Sequence, residues 1–168
     1  MLFFVIGASG AGKTATLKRL ATRRPDIAFR YADTAGVPSQ AAMIEAHGTV
    51  EAWQRHATVA WVRRIKAECV DAPSVMFDMQ TRPSFIAEAC ASAGMSQYRI
   101  VLMHCADAVR NARLTARGQP ELANSRMADW ARFLRDEAAR RRDTIIDTTD
   151  LTIEDAAHVL ESILSSDA

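Results

Sequence analysis

Apolar residues along this chain follow two rhythms that take turns from one end to the other. The first is a short unbroken run of strand length: "LFFVI" at 2–6, "IAFRY" at 27–31, "SVMFD" at 74–78, "YRIVLMHC" at 98–105 and "TIID" at 144–147. The second is helical spacing. It fills "KTATLKRLATRR" up to Pro25 and the short "SQAAMIEAH" ended by Gly48. A longer helix then starts at Thr49, a ready cap, with Val50, Trp53, Ala57, Ala60 and Trp61 as its buried stripe. Thr81 and Pro83 open a further helix that Gly94 closes, and "ADAVRNARLTAR" runs helical to Gly118. "RMADWARFLRDEAARRR" is helical again, and "TIEDAAHVLESIL" closes the chain with Thr152 and Asp155 at capping-box spacing.

Strands that are apolar throughout, rather than every second residue, belong to a sheet covered on both faces. Helices between them supply the right-handed crossovers that parallel neighbours need. The pattern therefore predicts an α/β fold with a five-stranded parallel sheet, whose ligands gather at the carboxyl ends of the strands. Gly36 and Pro38 break the pattern after the second strand. The polar interruption "GQPELANSR" at 118–126 reads as a short mobile flap. No internal repeat or low-complexity tract interrupts the alternation, and 168 residues suit a single domain, 1–168.

Composition narrows the partners. The formal net charge of +1 offers no global field for nucleic acid or an anionic membrane, so neither is expected as a partner. Cys69, Cys90 and Cys105 are odd in number and lack C-x-x-C spacing, which argues against a disulfide framework or a zinc site and for a reducing cytoplasm. The first apolar run ends at Ile6, too short for a signal segment or a membrane span. His47 and His56 show no metal-ligand spacing with carboxylates, and His104 and His158 read as structural.

The candidate chemistry sits in the opening turn. "GASGAGKT" places Gly7, Ala8, Ser9, Gly10, Ala11, Gly12, Lys13 and Thr14 in the pattern G-x-x-x-x-G-K-[ST], between a strand and a helix as that motif requires. Glycines let the backbone wrap a phosphate closely, the helix amino end adds positive potential, and Lys13 brings a point charge to the β- and γ-phosphates. Thr14 supplies an oxygen to Mg²⁺. A nucleoside triphosphate site follows, but its use does not. No Asn precedes any of the three lysines, so a guanine-reading N-K-x-D is absent. "LSGGQ" is absent as well, and the third strand ends "FDMQ" rather than in an Asp-Glu pair.

With these motifs the chain resembles, over nearly its whole length, the small P-loop kinases, a group that includes adenylate kinase, shikimate kinase, gluconate kinase and chloramphenicol phosphotransferase. The resemblance implies a three-layer α/β/α sandwich of the P-loop NTPase type, strand order 2-3-1-4-5, a short lid at about 118–126, and ATP with Mg²⁺. "VMFDMQTRP" is similar to the adenylate kinase stretch ending in Asp-Gly-Phe-Pro-Arg. By that likeness Asp78 holds Mg²⁺ through water and Arg82 faces the transferring phosphoryl group or an acceptor phosphate. Met79, Gln80 and Thr81 depart from the family's Gly-Phe-Pro, which leaves the acceptor open. "ARLTARG" looks like the family's pre-lid helix, with Arg113 over the adenine and Arg117 near the phosphates; spacing of four places both on one helix face. Arg126 matches a lid arginine, or pairs locally with Asp129. "IIDTTDLTIEDA" looks like the last strand and adenine-side loop of these kinases, which makes Asp147, Thr148 and Thr149 nucleotide-side candidates. From the residues alone, Asp78 also reads as a turn cap and the arginines as solvated surface.

Asp33, in "YADTAGVPS" at the end of the second strand, matches the Asp that contacts the substrate hydroxyl in family members acting on alcohols. A carboxylate there can orient a hydroxyl and take its proton; the alternative is an Asx-turn before Gly36. Helices at about 38–68 are the expected acceptor wall. "SQAAMIEAH" carries no arginine to grip a phosphate, although Arg55, Arg63 and Arg64 follow. Trp53 and Trp61 either line the acceptor pocket or belong to the helix core. The expectation is ATP-dependent phosphoryl transfer to a small-molecule hydroxyl by a monomer or homodimer. A nucleoside monophosphate kinase, an ATP-hydrolysing or nucleotide-switch protein and an interaction module with a degenerate loop stand as alternatives.

Overall fold

Strands β1 (Leu2–Ile6), β2 (Ile27–Tyr31), β3 (Ser74–Asp78), β4 (Tyr98–His104) and β5 (Thr144–Asp147) form one sheet in the order β2-β3-β1-β4-β5. Every neighbouring pair is parallel, with Val5 level with Asp78 and Val101, and Tyr31 also level with Asp78. That register brings Gly7, Ala32, Met79, Cys105 and Thr148, each the first residue beyond its strand, to one edge. The computed structural model describes residues 1–69 and 72–165. This is the α/β architecture and strand count expected from the sequence pattern, in the strand order that the resemblance implies.

Seven helices cover the sheet among the described residues: α1 (Lys13–Ala21), α2 (Gln40–His47), α3 (Val50–Glu68), α4 (Pro83–Ser92), α5 (Asp107–Ala116), α6 (Ser125–Arg141) and α7 (Ile153–Ser165). Phe3, Val5, Met76 and Met103 point to one face and pack with Leu17 and Leu20 of α1 and Ala157 and Leu160 of α7. Phe4, Ile6, Phe77 and Leu102 point to the other, against Val62 and Ile65 of α3, Ile86 of α4 and Leu134 of α6. Both faces of β1 are therefore buried, which is why its sequence shows no polar alternation. No described helix is long and apolar enough to cross a membrane.

Three local expectations are corrected. The buried stripe of α3 is Thr58, Val62 and Ile65; Ala60 is exposed and Trp53 and Trp61 are only partly buried. A polar residue leads this stripe because the Thr58 hydroxyl is satisfied twice, by Gln54 O and by the Thr81 hydroxyl, each at 2.7 Å. Helix α1 ends at Ala21 rather than running on to Pro25, with Thr22 closing it through its hydroxyl on Arg19 O. Arg82, not Thr81, is the cap residue of α4, and its side chain does not cap.

The cap of α4 comes instead from across the layer. Glu137 of α6 is buried, and its Oε1 accepts from Ser84 N at 2.9 Å, placing a carboxylate at the amino end of α4. Glu137→Ala removes a charged hydrogen-bond acceptor from a buried helix end. Chemical denaturation is expected to read a loss of about 2 kcal/mol, and Glu137→Gln, which keeps the acceptor oxygen, is expected to recover most of it.

Candidate active site

Between β1 and α1 the backbone turns through Gly7 and Gly10, with φ of 151° and 86°. Space as well as conformation demands glycine here. A Cβ on Gly7 would lie 2.3 Å from Met103 O, and one on Gly10 would lie 2.8 Å from Arg110 Cγ, so the loop is pressed against β4 and α5. Gly12 caps α1 without a side-chain acceptor, which leaves the first N–H groups of the helix facing the loop's concave side.

Lys13 is buried and its Nζ donates to Gly7 O at 2.9 Å. Burial pushes its ammonium below the ordinary lysine range. The charges of Asp78 and Asp33 oppose that shift, and Arg117 adds to it. Thr14 Oγ1 donates to Asp78 Oδ2. Asp78 is buried too, and desolvation pushes its carboxyl above the ordinary range against the pull of Lys13 and the Thr14 hydrogen bond, with Asp33 adding to the rise. No cluster of three or more His, Cys, Asp or Glu among the described residues is arranged for a metal. One hydroxyl and one carboxylate beside a loop with the phosphate-binding sequence pattern is nevertheless a donor set that suits Mg²⁺, which keeps several waters and takes phosphate oxygens.

A cavity of about 720 Å³ spreads over this loop, and Lys13, Thr14, Asp33, Asp78, Arg113 and Arg117 all reach its wall. Asp33 sits on the 3₁₀ turn Ala32–Ala35 that follows β2. That turn is closed by the backbone, Gly36 N to Asp33 O at 3.1 Å, and the Asp33 carboxylate is exposed with no hydrogen bond to any described residue. Arg113 donates from Nη2 to Thr148 O at 2.8 Å and from Nη1 to its hydroxyl at 3.1 Å. Thr148 is itself buried, with its hydroxyl 3.1 Å from both Ala11 O and His104 O, so it braces the phosphate loop against the end of β4. Asp147 and Thr149 are not brought to this cavity. They bond to each other, and the Thr149 hydroxyl accepts from Ala106 N at 2.9 Å, tying the end of β5 to the start of α5.

A second cavity, of about 650 Å³, lies between α3 and α6. Arg82 belongs to this one and does not reach the wall of the first. Its guanidinium donates to Glu51 at 3.0 Å and lies 4.7 Å from the Phe133 ring centre and 5.3 Å from that of Trp130. Arg126 also lines it, donating to Gln40 Oε1 at 3.2 Å, whereas Asp129 pairs with Arg132 at 2.9 Å. Neither Trp53 nor Trp61 lines it; Trp61 packs on Phe77 with ring centres 5.1 Å apart. The aromatic wall is Trp130 and Phe133, stacked 5.5 Å apart on α6, which the sequence reading passed over. Their spacing of three on a helix was the available signal. Gln80 and Leu122 line both cavities, and Leu122 comes from the short 3₁₀ turn within 118–126.

Solved structures similar to this chain include kinases of small molecules. An unliganded sugar kinase from Janibacter sp. HTCC2649 matches with a TM-score of 0.74 at 15% identity, over 98% of this chain and 94% of its own. Shikimate kinase from Acinetobacter baumannii, in complex with shikimate, gives 0.65 at 18% identity over 98% and 93%. A gluconokinase from Sinorhizobium meliloti 1021 gives 0.64 at 17% over 99% and 97%. At these identities the likeness establishes the fold, which is that of the small P-loop kinases. No protein-family model and no curated protein sequence matches the chain.

The buried pair has a pH signature. The Asp78 carboxyl titrates higher in the folded chain than its ordinary value of 3.8, so between those two values the folded state holds the extra proton. Stability then falls as pH rises through that window, and the full cost of the buried charge is present at neutral pH. Asp78→Asn removes the charge and keeps an acceptor for Thr14. Its melting temperature is expected to exceed that of the wild type at pH 7, with the gap closing as pH is lowered toward 4. Melts in a pH series would refute this by showing a gap that stays constant or reverses.

Proposed function

We propose that the chain is an ATP-dependent, Mg²⁺-requiring kinase that transfers a phosphoryl group to a hydroxyl of a small molecule. The observation that carries this reading is the meeting of two cavities at Gln80 and Leu122, one over a phosphate-binding loop and the other of substrate size. The kinase neighbours sharing the fold support the same reading.

In this proposal the loop N–H groups from Gly7 to Thr14 cradle the phosphates of ATP. Arg113 lies toward the base and Arg117 toward the phosphates. Thr14 and Asp78 hold Mg²⁺, which when bound supplies positive charge to the phosphate oxygens. The Asp33 carboxylate has no competing hydrogen bond to any described residue, so it is available to orient the acceptor hydroxyl and take its proton. The new O–P bond forms as the bond from the γ-phosphorus to the β,γ-bridging oxygen breaks, and ADP leaves with that electron pair. Lys13 stabilises the charge spreading over the transferring oxygens. The segment 118–126, with Gln119 and Leu122 on the cavity wall, shields the reaction from water. Soluble, cytoplasmic and monomeric or homodimeric behaviour goes with this reading.

A nucleoside monophosphate acceptor is the second reading, favoured by the two guanidinium groups of Arg82 and Arg126 in the second cavity. Incubation with Mg-ATP and a panel of sugars, aminoglycosides, nucleosides and nucleoside monophosphates, scored by mass gain, separates the two. A phosphorylated alcohol supports the first and a nucleoside diphosphate the second. ATP loss without any product would point to a hydrolase or switch. Asp33→Asn is expected to lower acceptor phosphorylation by about 100-fold or more while ATP affinity stays nearly unchanged; equal losses in both would remove its role as base. Lys13→Ala is expected to abolish turnover in a chain with unaltered circular dichroism.

A further inference from the structure

Three residues connect Asp78 at the end of β3 to Arg82 at the cap of α4, and two of them are anchored in the interior. Met79 is buried with its N–H on Val5 O at 3.1 Å, and Thr81 is buried with its hydroxyl on Thr58 at 2.7 Å. Gln80, held between these anchors, is exposed at the junction of the two cavities. It makes two bonds in opposite directions. Its Oε1 accepts from Ser9 Oγ of the phosphate loop at 3.1 Å, and its main-chain carbonyl accepts from Gln54 Nε2 of α3, also at 3.1 Å.

The far end of this link is the stretch of α3 that precedes its first buried residue. From Val50 to Ala57 no side chain is fully buried; burial begins only at Thr58. The first two turns are therefore held mainly by side-chain contacts at the surface, of which Gln54 to Gln80 and Glu51 to Arg82 are the two hydrogen bonds that cross to the β3–α4 connection. The near end is Ser9, inside the loop whose backbone a phosphate would immobilise.

We propose that Gln80 is a positioning residue that ties the phosphate loop to the wall of the second cavity. A nucleotide on the loop fixes Ser9, Ser9 fixes the Gln80 carboxamide, and Gln80 fixes the first turns of α3, setting the register at which an acceptor meets the γ-phosphoryl group. The purpose of this link rests on the kinase reading, but its operation depends on nucleotide binding alone. By linkage, whatever binds against α3 tightens nucleotide binding by the same factor.

Hydrogen exchange of the full chain, with and without a saturating Mg²⁺ complex of the non-hydrolysable β,γ-imido analogue of ATP, tests it. In the wild type the nucleotide is expected to slow exchange at 13–21 and, by about fivefold, the worth of one net hydrogen bond, at 51–57. Gln80→Ala is expected to keep the slowing at 13–21 and lose it at 51–57, and Ser9→Ala, compared at analogue concentrations that give equal slowing at 13–21, is expected to lose it at 51–57 as well. Gln80→Glu, which retains an acceptor for Ser9, is expected to restore it. Among the described residues the Ser9 side chain hydrogen-bonds to Gln80 and to no residue of α3, so its variant separates a relay from mere loosening of the helix. Slowing at 51–57 that persists in Ser9→Ala or Gln80→Ala, or is missing from the wild type, overturns the proposal. Absence of slowing at 13–21 in the wild type overturns the nucleotide site itself, and the link with it.

Discussion

The close approach of Gly7 to the carbonyl of Met103 is the constraint on which the candidate site depends. With no Cβ to clash, the chain leaving β1 folds over the end of β4 instead of away from the sheet, and Gly10 then settles on Arg110 and Leu114 of α5. That path delivers Gly12 to the start of α1 with the helix N–H groups still unclaimed. Thr148 locks the arrangement from the far side by bridging Ala11 and His104. Every other feature of the first cavity is arranged around a loop held in this way.

The buried charges beside that loop cost stability. Lys13 and Asp78 are both buried, and burial drives their titration toward the neutral forms, the lysine downward and the carboxyl upward. They are tolerated because each lies in the field of the other, with the Thr14 hydroxyl and Gly7 carbonyl filling the remaining valences. Buried charges of this kind on the wall of a cavity mark a candidate functional site.

The second cavity is assembled from parts distant in sequence. Glu51 and Gln54 come from α3, Gln80 and Arg82 from the connection after β3, Leu122 from the 3₁₀ turn, and Trp130 and Phe133 from α6. The parallel sheet makes this possible, because its order places β3 beside β1 and sets the β3–α4 connection next to the phosphate loop. Stacking Arg82 over aromatic rings while Glu51 holds its Nη2 fixes a charge at the cavity wall without leaving it unpaired.

What the sequence determined by itself is whatever depends on neighbours a few residues apart. Strand and helix periodicity, the stop at Gly48, the Thr152–Asp155 capping box and the glycine spacing of the loop are all local. Together with the resemblance they carried the five-stranded parallel order and brought Lys13, Thr14, Asp33, Asp78, Arg113 and Arg117 to one cavity wall. Tertiary structure alone decided which face of α3 is buried, because Thr58 leads that stripe only when Thr81, 23 residues away, satisfies its hydroxyl. It also decided that α4 is capped by Glu137 from 53 residues away, and that Arg126 bonds to Gln40 across 86 residues instead of to its helix neighbour Asp129. Polar side chains find partners wherever the packed layers bring them, and that geometry has no periodic trace in the chain.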